Sequence, residues 1–299
     1  MKFAAIDIGS NAIRLLLQEV FLENGRHYIE KTAYYRVPVR LGADTFTTGV
    51  ISEEKQRQMI RTFQAFEHLL HVFPVQAYRV CATSALRESE NATDVLIHIR
   101  NETGINIELI SGEEEADLIF NTFKVQDIDH TGNYLFIDVG GGSTELTLIK
   151  AGQRIRSISL RIGTVRALQN KVSKKEWVQA RSWIRELVKD EHQLVAIGTG
   201  GNINRIFKEA DKENRRHITR AELQRYYEFI AGLSYVERIT QLGFKPDRAD
   251  VILPAAEIFS KIMDMAGISV MMVPKIGLSD GIVLQLFAEW KSRIRPSNA

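Results

Sequence analysis

Residues 135–148 read LFIDVGGGSTELTL, and residues 4–17 read AAIDIGSNAIRLLL. Laid over one another, Asp7 meets Asp138, Gly9 meets Gly140 and Arg14 meets Glu145. Each stretch is an apolar run that ends in an acid, turns through glycine and re-enters an apolar run. Each therefore reads as a hairpin of buried strands. A motif that recurs once, a domain's length later, indicates two similar α/β lobes and not a solenoid.

The pattern outward from each hairpin supports this. Tyr28–Val39 offers one or two further strands. Ser52 can cap a long helix to about Phe73, with Met59, Ile60, Phe63, Phe66 and Leu70 at helical spacing and Pro74 stopping it. A strand at Val75–Ala82, a helix at Asp94–Glu102, a short strand at Ile105–Leu109 and a helix at Gly112–Phe123 follow. After the restart come strands at Tyr134–Val139, Leu146–Ile149 and Ile155–Leu160, a helix at Lys174–Lys189, a buried strand at Leu194–Ile197 and a helix from Ile203. The remainder reads as mostly helical, with one strand at Val270–Val273. Strands alternating with helices indicate α/β layers.

Composition narrows the class. The 299 residues suit two domains of ~100–200 residues. With 44% hydrophobic and 25% charged residues, the chain is neither disordered nor collagen-like. One cysteine, Cys81, excludes a disulfide framework and a Cys-rich zinc site. The seven histidines form no compact ligand pattern. No apolar run approaches the ~20 residues that span a membrane, and Asp7 interrupts the signal-like start. A cytoplasmic protein with no membrane or nucleic-acid partner is expected; no aromatic-and-basic stacking motif is present. The net charge of +2 hides an asymmetry: residues 1–149 sum to −8 and 150–299 to +10. Residues 150–175 hold eight bases and no acid. Such segregation suits an anionic ligand held beside a cation.

Three glycine loops carry the chemistry. In Asp7–Asn11, Gly9 lets the backbone approach a ligand, and Ser10 and Asn11 add donors. Asp7 would repel a bare phosphate and so implies a bridging cation. The second loop, 138–145, has three glycines, Gly140, Gly141 and Gly142, with Ser143 and Thr144, between the carboxylates of Asp138 and Glu145. An ordinary turn needs one glycine; three with two hydroxyls make a phosphate cradle beside a metal-binding or water-orienting acid. The third loop, Gly198–Asn202, enters a helix, where Gly200 and Gly201 present N–H groups to an anion. It has neither a Walker A lysine nor dinucleotide-fingerprint spacing.

Two segments supply further candidates. Ser111 and Glu114 fit a capping box. Glu115 instead shares an inward stripe with Leu118, Ile119 and Thr122, which marks it as a candidate general base. Ser84 and Arg87, after the strand that ends near Cys81, suit phosphate oxygens.

The motifs DIGSNAIRL at 7–15, TSALRESEN at 83–91, ISGEEEADLIF at 110–120, DVGGGSTEL at 138–146, GTGGNINRI at 198–206 and RADVILPAAEIFSKIM at 248–263 resemble, in order, those of the exopolyphosphatase / guanosine pentaphosphate phosphatase family. That family lies in the actin, sugar kinase and heat-shock ATPase superfamily. The resemblance implies two ribonuclease-H-like lobes with an active-site cleft between them. Residues 1–124 with about 282–299 would form the first lobe and 125–281 the second, the last helix (about Asp280–Arg295) returning to the first. It implies that Asp7–Asn11, with Arg14, and Gly140–Thr144 bind phosphate, that Glu115 activates the attacking water, and that Glu145 orients that water or binds the cation. Asp7, Asp138 and Glu145 would hold Mg²⁺ or another divalent cation. The implied reaction releases terminal phosphate from inorganic polyphosphate, short chains favoured, or from guanosine pentaphosphate. The basic stretch 150–175, with Arg215, Arg216 and Arg220, would hold the anionic remainder. A homodimer is compatible with the resemblance. Rival readings are an ATP-dependent kinase or ATPase of the same superfamily and a non-catalytic sensor of polyphosphate or an alarmone. The chain departs from the family pattern at Ala12, where serine is usual, and at Ser279 and Asp280, where Arg-Glu is usual.

Overall fold

In the computed structural model, all residues are described except 24–25, 127, 190–192, 211–215 and 295–299. The chain divides into two compact units: Met1–Thr122 with Leu278–Ala299, and Phe123–Gly277.

The first unit contains β1 (Lys2–Ile8), β2 (Ile13–Glu23), β3 (Arg26–Val37), α1 (Leu41–Thr48), α2 (Glu53–Val72), β4 (Ala77–Ala82), α3 (Ser84–Arg87), α4 (Ala92–Thr103), β5 (Glu108–Leu109) and α5 (Gly112–Phe123). The second contains β6 (Asn133–Val139), β7 (Thr144–Lys150), β8 (Gln153–Leu160), α6 (Thr164–Leu168), α7 (Lys174–Val188), β9 (Val195–Thr199), α8 (Gly201–Ala210), β10 (His217–Thr219), α9 (Arg220–Ala231), α10 (Tyr235–Thr240), α11 (Pro246–Ala249), α12 (Ile252–Met265) and β11 (Val270–Met272). The last helix, α13 (Leu278–Ile294), belongs to the first unit.

The first sheet runs β3-β2-β1-β4-β5, and the second runs β10-β11-β9-β6-β7-β8. In the first, β1 pairs antiparallel with β2, β2 antiparallel with β3, and β1 parallel with β4. In the second, β6 pairs antiparallel with β7, β7 antiparallel with β8, and β6 parallel with β9. The repeat seen in sequence is thus a repeat of topology, that of a ribonuclease-H-like lobe, with β10 added at one edge of the second sheet.

Central strands covered on both faces read as continuous apolar runs, and β1 and β6 are buried along nearly their whole length. Helix α13 lies across β1, β2 and β4. There the Phe3 ring meets Phe287 and Trp290 edge-on. In the second unit, Phe259, Ile262 and Met263 of α12 join Leu135, Ile137 and Leu146 in one core cluster. The Ser52 side chain accepts from the Lys55 N–H, which is the cap expected for α2.

Some elements differ from the sequence reading. Of the one or two strands expected at Tyr28–Val39 there is one, and it spans Arg26–Val37. Helices α1, α3 and α6 and strand β10 have no periodic signature. The three helices span eight, four and five residues and β10 three. Segments so short are held by tertiary contact and not by their own propensity. Among the described residues, no helix is long and apolar enough to cross a membrane.

Candidate functional site

The first glycine loop joins β1 to β2. Its turn is closed by the Gly9 N–H donating to the Ala12 carbonyl at 3.0 Å. The second joins β6 to β7 and closes in the same way, Gly140 N–H to the Ser143 carbonyl at 2.9 Å. Ala12 is thus the positional equivalent of Ser143. It is fully buried and brings no hydroxyl.

What lies behind the second loop decides its chemistry. The Thr164 N–H donates to the Gly140 carbonyl at 3.0 Å, and Val165 N–H to the Gly141 carbonyl at 2.8 Å. The buried Arg166 donates Nε to the Gly142 carbonyl at 2.8 Å. In a trans peptide the carbonyl and the following N–H point in opposite directions, and no peptide bond is cis. With three successive carbonyls turned toward α6, the N–H groups of Gly141, Gly142 and Ser143 point away from it as a row of donors, the arrangement of an anion nest. The first loop is backed likewise. Gly42 N–H donates to the Ser10 carbonyl at 2.8 Å and Arg40 N–H to the Asn11 carbonyl at 3.1 Å. The N–H groups of Asn11 and Ala12 therefore point away from that segment.

The carboxylates sit at the strand ends beside these loops. Asp138 and Glu145 face each other across the β6–β7 ladder, with a carboxylate oxygen of each within 4.8 Å. Both are buried. Asp138 Oδ1 accepts from the Thr199 hydroxyl at 2.6 Å, and Glu145 Oε1 accepts from the Ser159 hydroxyl at 2.8 Å. Two buried carboxylates with neighbouring hydroxyls form a hard-oxygen donor set that fits Mg²⁺. In the first unit the counterpart differs. Asp7 is paired across the ladder with Arg14, and their side chains form an ion pair. Asp7 thus has an internal cation as neighbour.

Glu115 lies in the first turn of α5 and is buried with Leu118, Ile119 and Thr122, as its stripe predicted. Its helix is pinned at the start. The Ser111 hydroxyl accepts from the Glu114 N–H at 3.1 Å, and Arg79 Nη2 donates to Glu114 Oε1 at 2.7 Å. Arg79 also binds Glu108 and Gln285. Burial acts to lower the Arg79 guanidinium; the hydrogen bonds to Glu108 and Glu114 outweigh it and raise its pKa above the ordinary arginine value. Arg87 Nη1 donates to the Ile110 carbonyl at 2.6 Å, just before α5.

The remaining expected residues fall as follows. Ser10 and Ser84 are brought together, Oγ to Oγ at 3.0 Å, both buried. The Thr144 hydroxyl donates to the Ile162 carbonyl at 2.5 Å, which ties it to the segment behind its own loop. Gly200 has φ +99°, and a Cβ there would stand 3.2 Å from Asp138 Oδ1, so the third loop lies over that carboxylate. Gly201 begins α8, and its carbonyl accepts from Arg248 Nη1 at 2.9 Å. Arg220 pairs with Asp264, and Arg156 with Glu186. Arg215 lies outside the described residues. Asp280 accepts from Gln18 Nε2 at 2.9 Å, which gives this departure a structural partner on β2.

A family model described as the Ppx/GppA phosphatase family matches residues 22–289. The chain belongs to the Ppx/GppA phosphatase family. Among curated relatives of this Ppx/GppA chain, a bifunctional 3-dehydroquinate synthase/phosphatase of Fusobacterium nucleatum is 28% identical over 88% of the chain and 43% of that protein. Exopolyphosphatase 1 of Mycobacterium tuberculosis is 24% identical over 95% of the chain and 88% of that protein. The chain thus spans less than half of the first and most of the second. Among solved structures, an exopolyphosphatase from Cytophaga hutchinsonii superposes with a TM-score of 0.80 at 21% identity, covering 97% of the chain and 98% of its own. The Aquifex aeolicus Ppx/GppA family member gives 0.74 at 23% identity, covering 97% and 98%. These likenesses show the fold.

The sequence reading missed Arg40–Gly42 and Ile162–Gly163, and it placed Arg166 in the basic stretch 150–175 as a contact for the anion, whereas its Nε is spent on the Gly142 carbonyl. A signal existed. Arg40-Leu41-Gly42 and Arg161-Ile162-Gly163 form a second, shorter repeat behind the first.

Proposed function

We propose that this chain hydrolyses a terminal phosphoanhydride, releasing phosphate from inorganic polyphosphate or from guanosine pentaphosphate. The observation that carries this reading is the row of N–H groups at Gly141, Gly142 and Ser143, turned outward because all three preceding carbonyls are held by Thr164, Val165 and Arg166. Donors fixed before the substrate arrives need no reorganisation as charge develops on the transferred phosphoryl group. Asn11 and Ala12 N–H groups, with the Ser10 and Ser84 hydroxyls, serve the same purpose in the first lobe.

Asp138 and Glu145 would hold a divalent cation, which supplies charge neutralisation for the phosphoryl oxygens when bound. Glu115 takes the proton from the attacking water. Arg79 and Ser111 hold neighbouring Glu114 and so fix the first turn of the helix from which Glu115 projects. Arg14, balanced by Asp7, stands beside the first loop as a further phosphate contact.

The test is phosphate release from tripolyphosphate, long polyphosphate and guanosine pentaphosphate, each with and without Mg²⁺, with Glu115→Gln alongside. Loss of a general base lowers turnover ~10²–10⁴-fold. Wild-type turnover in the variant, or no release from any of the three by the wild type, would refute the proposal.

A further inference from the structure

The two loops at 7–11 and 140–144 share one kind of support. Behind the first lies Arg40-Leu41-Gly42, and behind the second Arg161-Ile162-Gly163. In each, the backbone N–H groups at or just after the glycine bind loop carbonyls: Gly42 to Ser10, and Thr164 and Val165 to Gly140 and Gly141. In each, the glycine has no room for a side chain. A Cβ on Gly163 would stand 2.4 Å from the Gly141 carbonyl oxygen and 2.4 Å from the Gly142 carbonyl carbon. A Cβ on Gly42 would stand 2.7 Å from the Phe46 ring, and on the loop side 2.9 Å from the Ser10 Cβ and 3.1 Å from its carbonyl oxygen. Gly163 has φ −144° and ψ 160°, which any residue adopts. Backbone conformation does not demand glycine here; the proximity of the loop does.

We propose that Gly42 and Gly163 are positioning residues, each letting a backing segment reach the carbonyls of its phosphate loop and so aim the loop's N–H groups at the substrate. This rests on the reading of 7–11 and 140–144 as phosphate loops. The same device at two sites of one duplicated fold means that the backing segment is part of the loop's design and not a local accident of packing. A side chain at either glycine pushes the loop off its support, turns its peptide planes, and misaligns donors that must act together. Groups that must act together lose much of their effect when displaced by about 1 Å.

Steady-state phosphate release from tripolyphosphate, beside thermal melts, tests this with Gly42→Ala, Gly163→Ala and the control Gly267→Ala. Gly267 has φ +65° with no atom within 4 Å of a Cβ, so alanine there strains the second unit without touching a loop. Gly42→Ala and Gly163→Ala are expected to raise KM at least tenfold, with smaller changes in kcat; Gly267→Ala is expected to melt lower and keep the wild-type KM. Should Gly163→Ala not fold, Thr164→Pro replaces it. Proline is tolerated at the first helical position, Gly163 already has the extended conformation that precedes proline, and the change deletes the N–H that holds the Gly140 carbonyl. A KM within twofold of wild type in the loop-backing variants, or an equal rise in Gly267→Ala, would overturn the positioning role while leaving the hydrolase reading intact. A wild-type protein that releases no phosphate would overturn both, and the wild-type arm tells the two failures apart.

Discussion

Gly281→Ala offers a test of packing in which two effects have opposite signs. Gly281 lies in the first turns of α13, buried against α5. Alanine is the better helix former by ~1 kcal/mol in an open helix interior. Here, however, a Cβ would stand 2.1 Å from the Leu118 carbonyl oxygen and 2.5 Å from its carbon, where ordinary contact needs 3.4 Å or more. The obstacle is backbone, which cannot rotate aside as a long side chain can. Overpacking in a close-packed interior costs ~1–3 kcal/mol, and a clash with backbone belongs at the upper end. The net expectation is a loss of about 2 kcal/mol, which lowers Tm by roughly 4–8 °C in a domain of about 150 residues. The clash falls three residues from Glu115 on the same helix, so turnover should drop further than the folded fraction accounts for. Differential scanning calorimetry and a phosphate-release assay at 20 °C read the two effects. An unchanged or raised Tm would refute the reasoning, because it would mean that helix propensity outweighs the α5–α13 contact.

Other expectations follow from single contacts. Ser159→Ala removes the hydrogen-bond partner of Glu145 Oε1. The Mg²⁺ concentration for half-maximal turnover should rise ~10-fold or more, as for lost outer partners of metal ligands; an unchanged Mg²⁺ titration would remove Glu145 from the cation site. Burial pushes the Cys81 thiol up to about 12 from 9.0. The native protein should therefore resist a thiol reagent at pH 8 and react once unfolded in urea. The fold favours the neutral thiol, so this group's contribution to stability is intact below pH 9 and declines between 9 and about 12; rapid labelling of the native protein at pH 8 would contradict the buried placement. Thr219 caps α9 in a reciprocal capping box with Glu222. Thr219→Ala should cost ~1 kcal/mol of stability, read as a lower urea midpoint with an unchanged slope.

The hairpins at 2–23 and 133–150 were legible because buried strands leave continuous apolar runs, and because an acid followed by glycine marks where each run must turn. Helix α5 was legible with its bounds, since Glu115, Leu118, Ile119 and Thr122 carry the helical period. The placement of Asp138 and Glu145 at facing strand ends was legible, because the apolar runs on either side mark where the turn falls. The backing segments were not. Leu41–Thr48 contains glycine and three threonines and Thr164–Leu168 is five residues long, so neither holds a helical period. Their conformation comes from the loops they support.

The sequence by itself therefore determined the duplication, the order of strands and helices around each repeat, and the glycines and acids that sit at each strand-to-strand turn. Those properties are local, written in periodicity and in the chemistry of neighbouring side chains. Only the tertiary structure decided how the donors are aimed. That Thr144 binds the Ile162 carbonyl, that Arg166 binds the Gly142 carbonyl, and that Gly281 touches Leu118 depends on segments 18, 24 and 163 residues apart in the chain. Hydrogen bonds are directional and close packing tolerates no spare atom. The orientation of a loop's peptide planes is therefore set by whatever lies behind it, which no local pattern records.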